Sequence, residues 1–167
     1  MTVENNHRWP APNHNYVPEF QMSGIPFVES RTLTTPVREG ANDKRTLITQ
    51  NSADACKFSF DQVTRWINIV NHEQASKHIR VYFNEDAFKK AELFQVVGGS
   101  DVIIEDKHYY KIDGSNQTNR LELKCKNIWI YPEEASMKIS VIAGLTNVPS
   151  NTFPDQTKLN GFTGVQS

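Results

Sequence analysis

The side chains able to do chemistry in this 167-residue chain are few and scattered. Its five histidines are His7, His14, His72, His78 and His108, and none falls in a metalloprotease spacing such as HExxH. His72 and His78 flank one turn with Glu73 between them, the one place where a metal could be gathered, but surface turn histidines explain the same pattern. Acids come in adjacent pairs, Glu85-Asp86, Glu105-Asp106 and Glu133-Glu134. Glycoside hydrolysis needs two carboxyls facing each other across a cleft, whereas neighbours in a strand point to opposite faces. These pairs read as solvated turns. Ser23-Gly24 and Gly98-Gly99-Ser100 match neither a nucleophile elbow nor a phosphate-cradling loop. Cys56 and Cys125 are too few for a disulfide framework or a metal cluster, and their strand-like positions predict buried free thiols. Asn116-Gln117-Thr118 has the form of a glycosylation sequon, but MTVENNHRWP lacks the apolar stretch of a signal peptide. The expectation is a protein that is not an enzyme, with no catalytic residue, no metal and no cofactor.

Aromatic rings are the other chemistry to weigh. Trp66, Tyr82, Tyr109, Trp129 and Tyr131 could line a sugar-binding face, because each presents a flat apolar ring with a polar tip. Packing between sheets uses the same residues. Trp66, Tyr82 and Trp129 are out of phase with the main apolar set of their strands, which places them on an outer face or an interface.

The elements that must carry these residues are strands. The central stretch is Arg120 to Val148, RLELKCKNIWIYPEEASMKISVIAGLTNV. Leu121, Leu123 and Cys125 alternate with charged residues, as a half-buried antiparallel strand requires. After Asn127 the phase changes: Ile128 and Ile130 lie on one face, Trp129 and Tyr131 on the other. One strand cannot move its core face by one residue, so a bulge or corner is predicted near Lys126-Asn127. Pro132 ends that strand, Met137, Ile139 and Val141 form the next, and Gly144 breaks it. Leu121, Leu123, Ile139 and Val141 are the expected core. Upstream, Phe58 and Phe60, then Ile67 and Ile69, then Ile79, Val81 and Phe83 repeat the alternation. Asn84 to Leu93 is the only plausible helical segment, capped by Asn84 or Asp86. Val102–Glu105 and Tyr109–Ile112 read as a hairpin or one bent strand, followed by a turn at Asp113-Gly114. About eight short strands at spacings of about ten residues predict an antiparallel sandwich or jelly roll. A parallel sheet would need crossover helices that the chain has no room for.

The organisation is therefore read as an extended N-terminal arm over residues 1–54, one all-β sandwich domain over 55–148 and a C-terminal tail over 149–167. Five of the eight prolines lie within the first 36 residues, where no helical or sustained strand period appears. Yet Trp9, Tyr16, Phe20, Ile25 and Phe27 are spaced along the arm, and disordered linkers usually lack such residues. Extended chain with apolar anchors is the pattern of a segment that lies in a groove on a partner. Packing across its own domain is the other reading. A net charge of −1 gives no general drive towards nucleic acid or acidic membranes. No apolar run is long enough to span a membrane.

VPEFQMSGIPFVES, followed by VTRWINIVN, IRVYFNEDAF, LELKCKNIWIY and MKISVIAGLTNV, resembles small β-sandwich virion structural proteins of phages and other DNA viruses. The likeness is to those that decorate or cement a capsid or sit at its vertices. It covers most of the chain as a style of β domain and carries no diagnostic motif. It implies a non-enzymatic homo-oligomer made in a host cytoplasm, located in the virion, and gripping the major capsid protein or other virion proteins through its arm. A carbohydrate- or receptor-binding module using the aromatic face is the alternative.

Overall fold

The computed structural model describes residues 25–40, 43–103, 107–118 and 120–154. The strands are β1 (Ile25–Leu33), β2 (Lys57–Ser59), β3 (Gln62–Asn71), β4 (Ile79–Tyr82), β5 (Phe94–Val97), β6 (Ser100–Ile103), β7 (Tyr110–Ile112), β8 (Asn127–Pro132) and β9 (Met137–Pro149). Two short helices join them, α1 (Gln50–Ala55) and α2 (Glu85–Lys89). One antiparallel sheet runs β1-β9-β3 and a second runs β2-β8-β4-β7; β5 and β6 form a separate hairpin. The two sheets make the sandwich. Its core includes Leu33, Phe58, Ile67, Ile69, Val81, Ile128, Ile130, Ile139 and Val141, all buried.

The long strand β9 is the axis of the first sheet, paired with β1 from Leu33↔Met137 to Ile25↔Leu145 and with β3 from Asn71↔Ile139 onward. Its odd-numbered residues from Met137 to Leu145 face inward, as a period of two demands. Gly144 does not break it as expected; it sits between Pro26 and Trp66 on the neighbouring strands, and the ladder runs on to Pro149. The register slips twice, between Gln62 and Thr64 and between Thr64 and Trp66. Bulges of this kind bend a strand and re-aim its side chains.

The expected strand over Leu121–Cys125 is not regular. The chain here runs beside the far edge of β3, held by the backbone pair Ile67–Leu121 and by hydroxyls. Thr64 Oγ1 donates to Leu123 O at 2.6 Å and accepts from Cys125 N at 3.0 Å, while Thr118 Oγ1 accepts from Ile69 N at 2.9 Å. These side-chain oxygens are interleaved with backbone bonds such as Thr64 N to Cys125 O and Leu121 N to Ile67 O, so the ladder is irregular. Leu123 is 37% exposed and Leu121 only half-buried, against expectation; Cys125, Ile139 and Val141 are core. The corner at Lys126-Asn127 is present, with regular strand beginning at Asn127.

Beyond it, β8 has no solvent face. Ile128 and Ile130 enter the sandwich, while Trp129 and Tyr131 enter a second core with Ile48, Ala53, Tyr82, Ala87 and Phe88. That core is roofed by α1 and α2. Thr49 caps α1 through Ser52 N, and Asn84 caps α2 through Ala87 N, with Glu85 and Asp86 in its first turn. Val102 and Tyr109 were expected on one hairpin, but β6 pairs with β5 and β7 with β4. The β5–β6 turn is Gly98-Gly99, both at positive φ, the two-residue form whose twist suits a hairpin.

The arm boundary also moves. Residues 25–40 and 43–54 belong to the domain: β1 is one strand of the first sheet, and Ile48 and Ala53 line the second core. The alternation of β1 is hidden because Glu29 and Arg31 occupy the same face as Phe27 and Leu33. At the other end, β9 finishes at Pro149, and Phe153 packs on Val63 and Val148; residues 155–167 lie outside the described residues.

Two stability predictions follow from this geometry. A Cβ on Gly114 would lie 1.7 Å from the carbonyl oxygen of Gln74. Gly114→Ala is expected to cost about 3 kcal/mol or more in urea unfolding, because the clash is with backbone. Ile139→Ala is expected to cost about 2–5 kcal/mol, and Leu123→Ala under about 0.5 kcal/mol, as for an exposed side chain. Equal losses for the two would place the core on the wrong face.

Candidate functional site

The anchors assigned to the arm divide at residue 25. Trp9, Tyr16 and Phe20 lie outside the described residues. Ile25 pairs with Leu145 in the first sheet. Phe27 is half-buried against the sandwich core and meets Phe60 edge-to-face at 4.9 Å, so it anchors its own domain.

The aromatic face does not exist as expected. Tyr82 and Trp129 are fully buried and Cα partners on β4 and β8. They are on the opposite face from the sandwich core, as their phase implied, but α1 and α2 cover that face. Burial pushes the Tyr82 hydroxyl well above its ordinary range. Trp66 stays half-exposed, with the guanidinium of Arg120 over its ring at 5.1 Å, and Tyr109 is exposed, with the guanidinium of Arg80 over its ring at 5.0 Å. Each of these two rings already carries a guanidinium, so neither is a bare platform for a sugar.

The densest polar cluster was not foreseen. Arg80 lies between two carboxylates, donating to Glu133 Oε1 at 2.7 Å and to Glu92 Oε1 at 3.2 Å. The Tyr131 hydroxyl donates to Glu92 Oε2 at 2.9 Å, and Lys44 Nζ is 3.7 Å from the same oxygen. Tyr109 stacks on Arg80 at 5.0 Å. Burial works against the charge of Arg80, but the hydrogen bond and charge of Glu133, then Glu92, outweigh it and raise its pKa. Burial, then the charge of Glu92, pushes Tyr131 up to about 12. Glu92 adopts φ 53°, a left-handed conformation that costs a non-glycine residue roughly 1–3 kcal/mol. The strain is explained locally: the turn after α2 aims this carboxylate at both Arg80 and Tyr131. Both acids are thereby committed to cations, and the cluster joins β4, β8 and the turn after α2. Its chemistry is that of a clamp.

A second polar line crosses the outer face of the first sheet. His72 Nε2 is 2.7 Å from Ser140 Oγ, which is 2.6 Å from Ser30 Oγ. An imidazole beside a hydroxyl is the start of a nucleophilic pair. Ser140, however, stands on a central strand whose neighbours β1 and β3 take its amides into ladders, leaving no donor pair for an oxyanion. His78 Nδ1 meets Asp113 Oδ1 at 2.8 Å. His72 and His78 thus have separate partners, and no group of three or more metal-ligating side chains is found among the described residues. Glu105 and Asp106 lie outside them.

Cys56 borders a small hollow of about 70 Å³ lined by Thr32, Leu33, Thr34, Pro36, Ser52 and Ala55. Burial pushes its thiol up to about 12, and that of Cys125 likewise. Neither is a nucleophile at neutral pH.

The chain matches no protein-family model, no curated protein and no solved structure. Family-level knowledge therefore adds nothing to the geometry.

Both thiols are expected to resist a disulfide-exchange reagent at pH 8 in the native protein and to react fully in urea. Their folded pKa lies above the unfolded value of about 9. The unfolded chain then holds fewer protons than the native one between pH 9 and 12. Stability should fall as pH rises through that window, by about 1.4 kcal/mol per pH unit for each thiol. Unfolding curves that do not move between pH 8.5 and 10.5 would contradict the burial of both.

Proposed function

We propose that this chain is a non-enzymatic virion structural protein that self-associates and docks onto a capsid or other particle through its N-terminal segment. The observation that carries the reading is the position of β1. Residues 1–24, with Trp9, Tyr16 and Phe20, lead directly into a nine-residue strand paired along its whole length with β9. A grip made by that segment would pull on the axis of the first sheet, which is how a cementing arm transmits load. The resemblance supplies the kind of particle, with the major capsid protein or other virion proteins as partners. The polar clusters support the same reading from the other side: Glu92, Glu133, His72 and His78 all serve contacts between elements. The alternative, a carbohydrate- or receptor-binding module, loses its support with the burial of Tyr82 and Trp129.

The test uses the full chain with Trp9→Ala, Tyr16→Ala and Phe20→Ala combined. Each ring would contribute roughly 1.5–3 kcal/mol if fully buried on a partner. Co-sedimentation with particles from the producing cells should fall at least tenfold, while the melting temperature stays within about 2 °C of the parent. Undiminished attachment would reject docking through this segment.

A further inference from the structure

Among the described residues, β1 is the long open edge. Its backbone bonds with β9 on one side, and none of its amides or carbonyls bonds with another backbone group on the other. The far edge of β3 is occupied by Gln117, Thr118, Leu121 and Cys125. The neighbouring edge of the second sheet, at β2, is partly closed from β1 itself. Arg31 Nη1 donates to Lys57 O at 2.9 Å and to Ala55 O at 3.3 Å, with its guanidinium 4.1 Å from the centre of the Phe58 ring.

Open edges are usually blunted by proline, by charge, or by charged side chains pointing inward. Here β1 has Pro26 near its start, then Glu29 and Arg31 on the inward face between Phe27 and Leu33. Glu29 and Arg31 pair with each other at 2.5 Å and keep side-chain exposures of 36% and 28%. A generic incoming strand would bury this pair against unmatched side chains. One sequence matches it at every position: the same strand reversed. Placed antiparallel about Ser30, Phe27 faces Leu33 of the second copy, Val28 faces Thr32, Glu29 faces Arg31 and Ser30 faces Ser30. The matched window begins at Phe27, just past the proline that could not donate. Val28, 67% exposed on the outer face, would gain a β-branched neighbour.

We propose that a second copy of this chain adds to this edge, β1 against β1 antiparallel about a twofold axis at Ser30, joining two three-stranded sheets into one of six. The contact is isologous, each patch meeting its own kind. Backbone bonds give the hold, and the crossed Glu29–Arg31 pairs select the partner and the register. It rests on the reading of the chain as self-associating and names the surface, but needs no particle, so it stands or falls apart from docking by residues 1–24.

The experiment uses full-length chains in sedimentation velocity and oxidative cross-linking. The parent should be a dimer. Glu29→Arg and Arg31→Glu chains should each lose at least tenfold in association alone, since like charges then face each other. Mixed, they should form a heterodimer, because every facing pair is again opposite in sign. Ser30→Cys should cross-link to itself on mild oxidation, whereas Thr32→Cys, which faces Val28, should not; Cys56 and Cys125 are buried and do not interfere. A monomeric parent, single-charge variants that dimerise like the parent, or cross-linking at Thr32 but not Ser30 would each overturn the proposal. If either charge variant loses its cooperative melt, the two cysteine variants decide alone.

Discussion

A strand that carries Ile128 and Ile130 on one face and Trp129 and Tyr131 on the other can leave neither face to water. That constraint on β8 organises the rest of the molecule. The first face takes the β1-β9-β3 sheet as its lid. The second needs another lid, and α1 and α2 are too short to be stable alone; they persist because Ala53, Ala87 and Phe88 close over the two rings. Bringing Tyr131 inside brings a hydroxyl with it, and a buried hydroxyl needs a partner. Glu92 supplies it, which places a carboxylate in a half-buried site, which in turn requires Arg80 and then Glu133. The polar cluster is thus a consequence of the double-faced strand.

Much of the fold was legible because alternation is a strong signal where one face is wet. Met137, Ile139 and Val141 on β9, and Ile79 and Val81 on β4, lie where their period placed them. The phase change at Lys126-Asn127 is real. The errors have physical causes. LELKC alternates as a strand does, but Thr64 and Thr118 offer hydroxyls that compete with a ladder, and the leucines finish half in water. FVESRTL is a strand that does not look like one, since its inward face holds a charge pair where apolar residues were sought. Burial of both faces of β8 could have been suspected from IWIY, an unbroken apolar run bounded by polar residues.

For the site the balance is different. The phase of Tyr82 and Trp129 said only that they leave the sandwich core. What covers them depends on helices of five and six residues, below the length at which periodicity speaks. The Arg80 cluster assembles Lys44, Arg80, Glu92 and the neighbouring Tyr131 and Glu133 from four separate stretches of chain. No spacing rule could have gathered them. A faint local signal existed in Glu92, an acid placed where a helix ends and glycine would be usual.

The pairing of β1 with β9 joins distant residues, such as Ser30 and Ser140, 110 positions apart along the chain. During synthesis, the first strand emerges long before the strand that completes it. Non-local pairing of this kind is slow, because the chain must close a long loop before any contact repays it. For that interval β1 has two bare edges and an uncovered face carrying Phe27 and Leu33. The charges of Glu29 and Arg31, set among those apolar residues, then act as gatekeepers: they keep the nascent strand from stacking on arbitrary neighbours until its proper partner has been made.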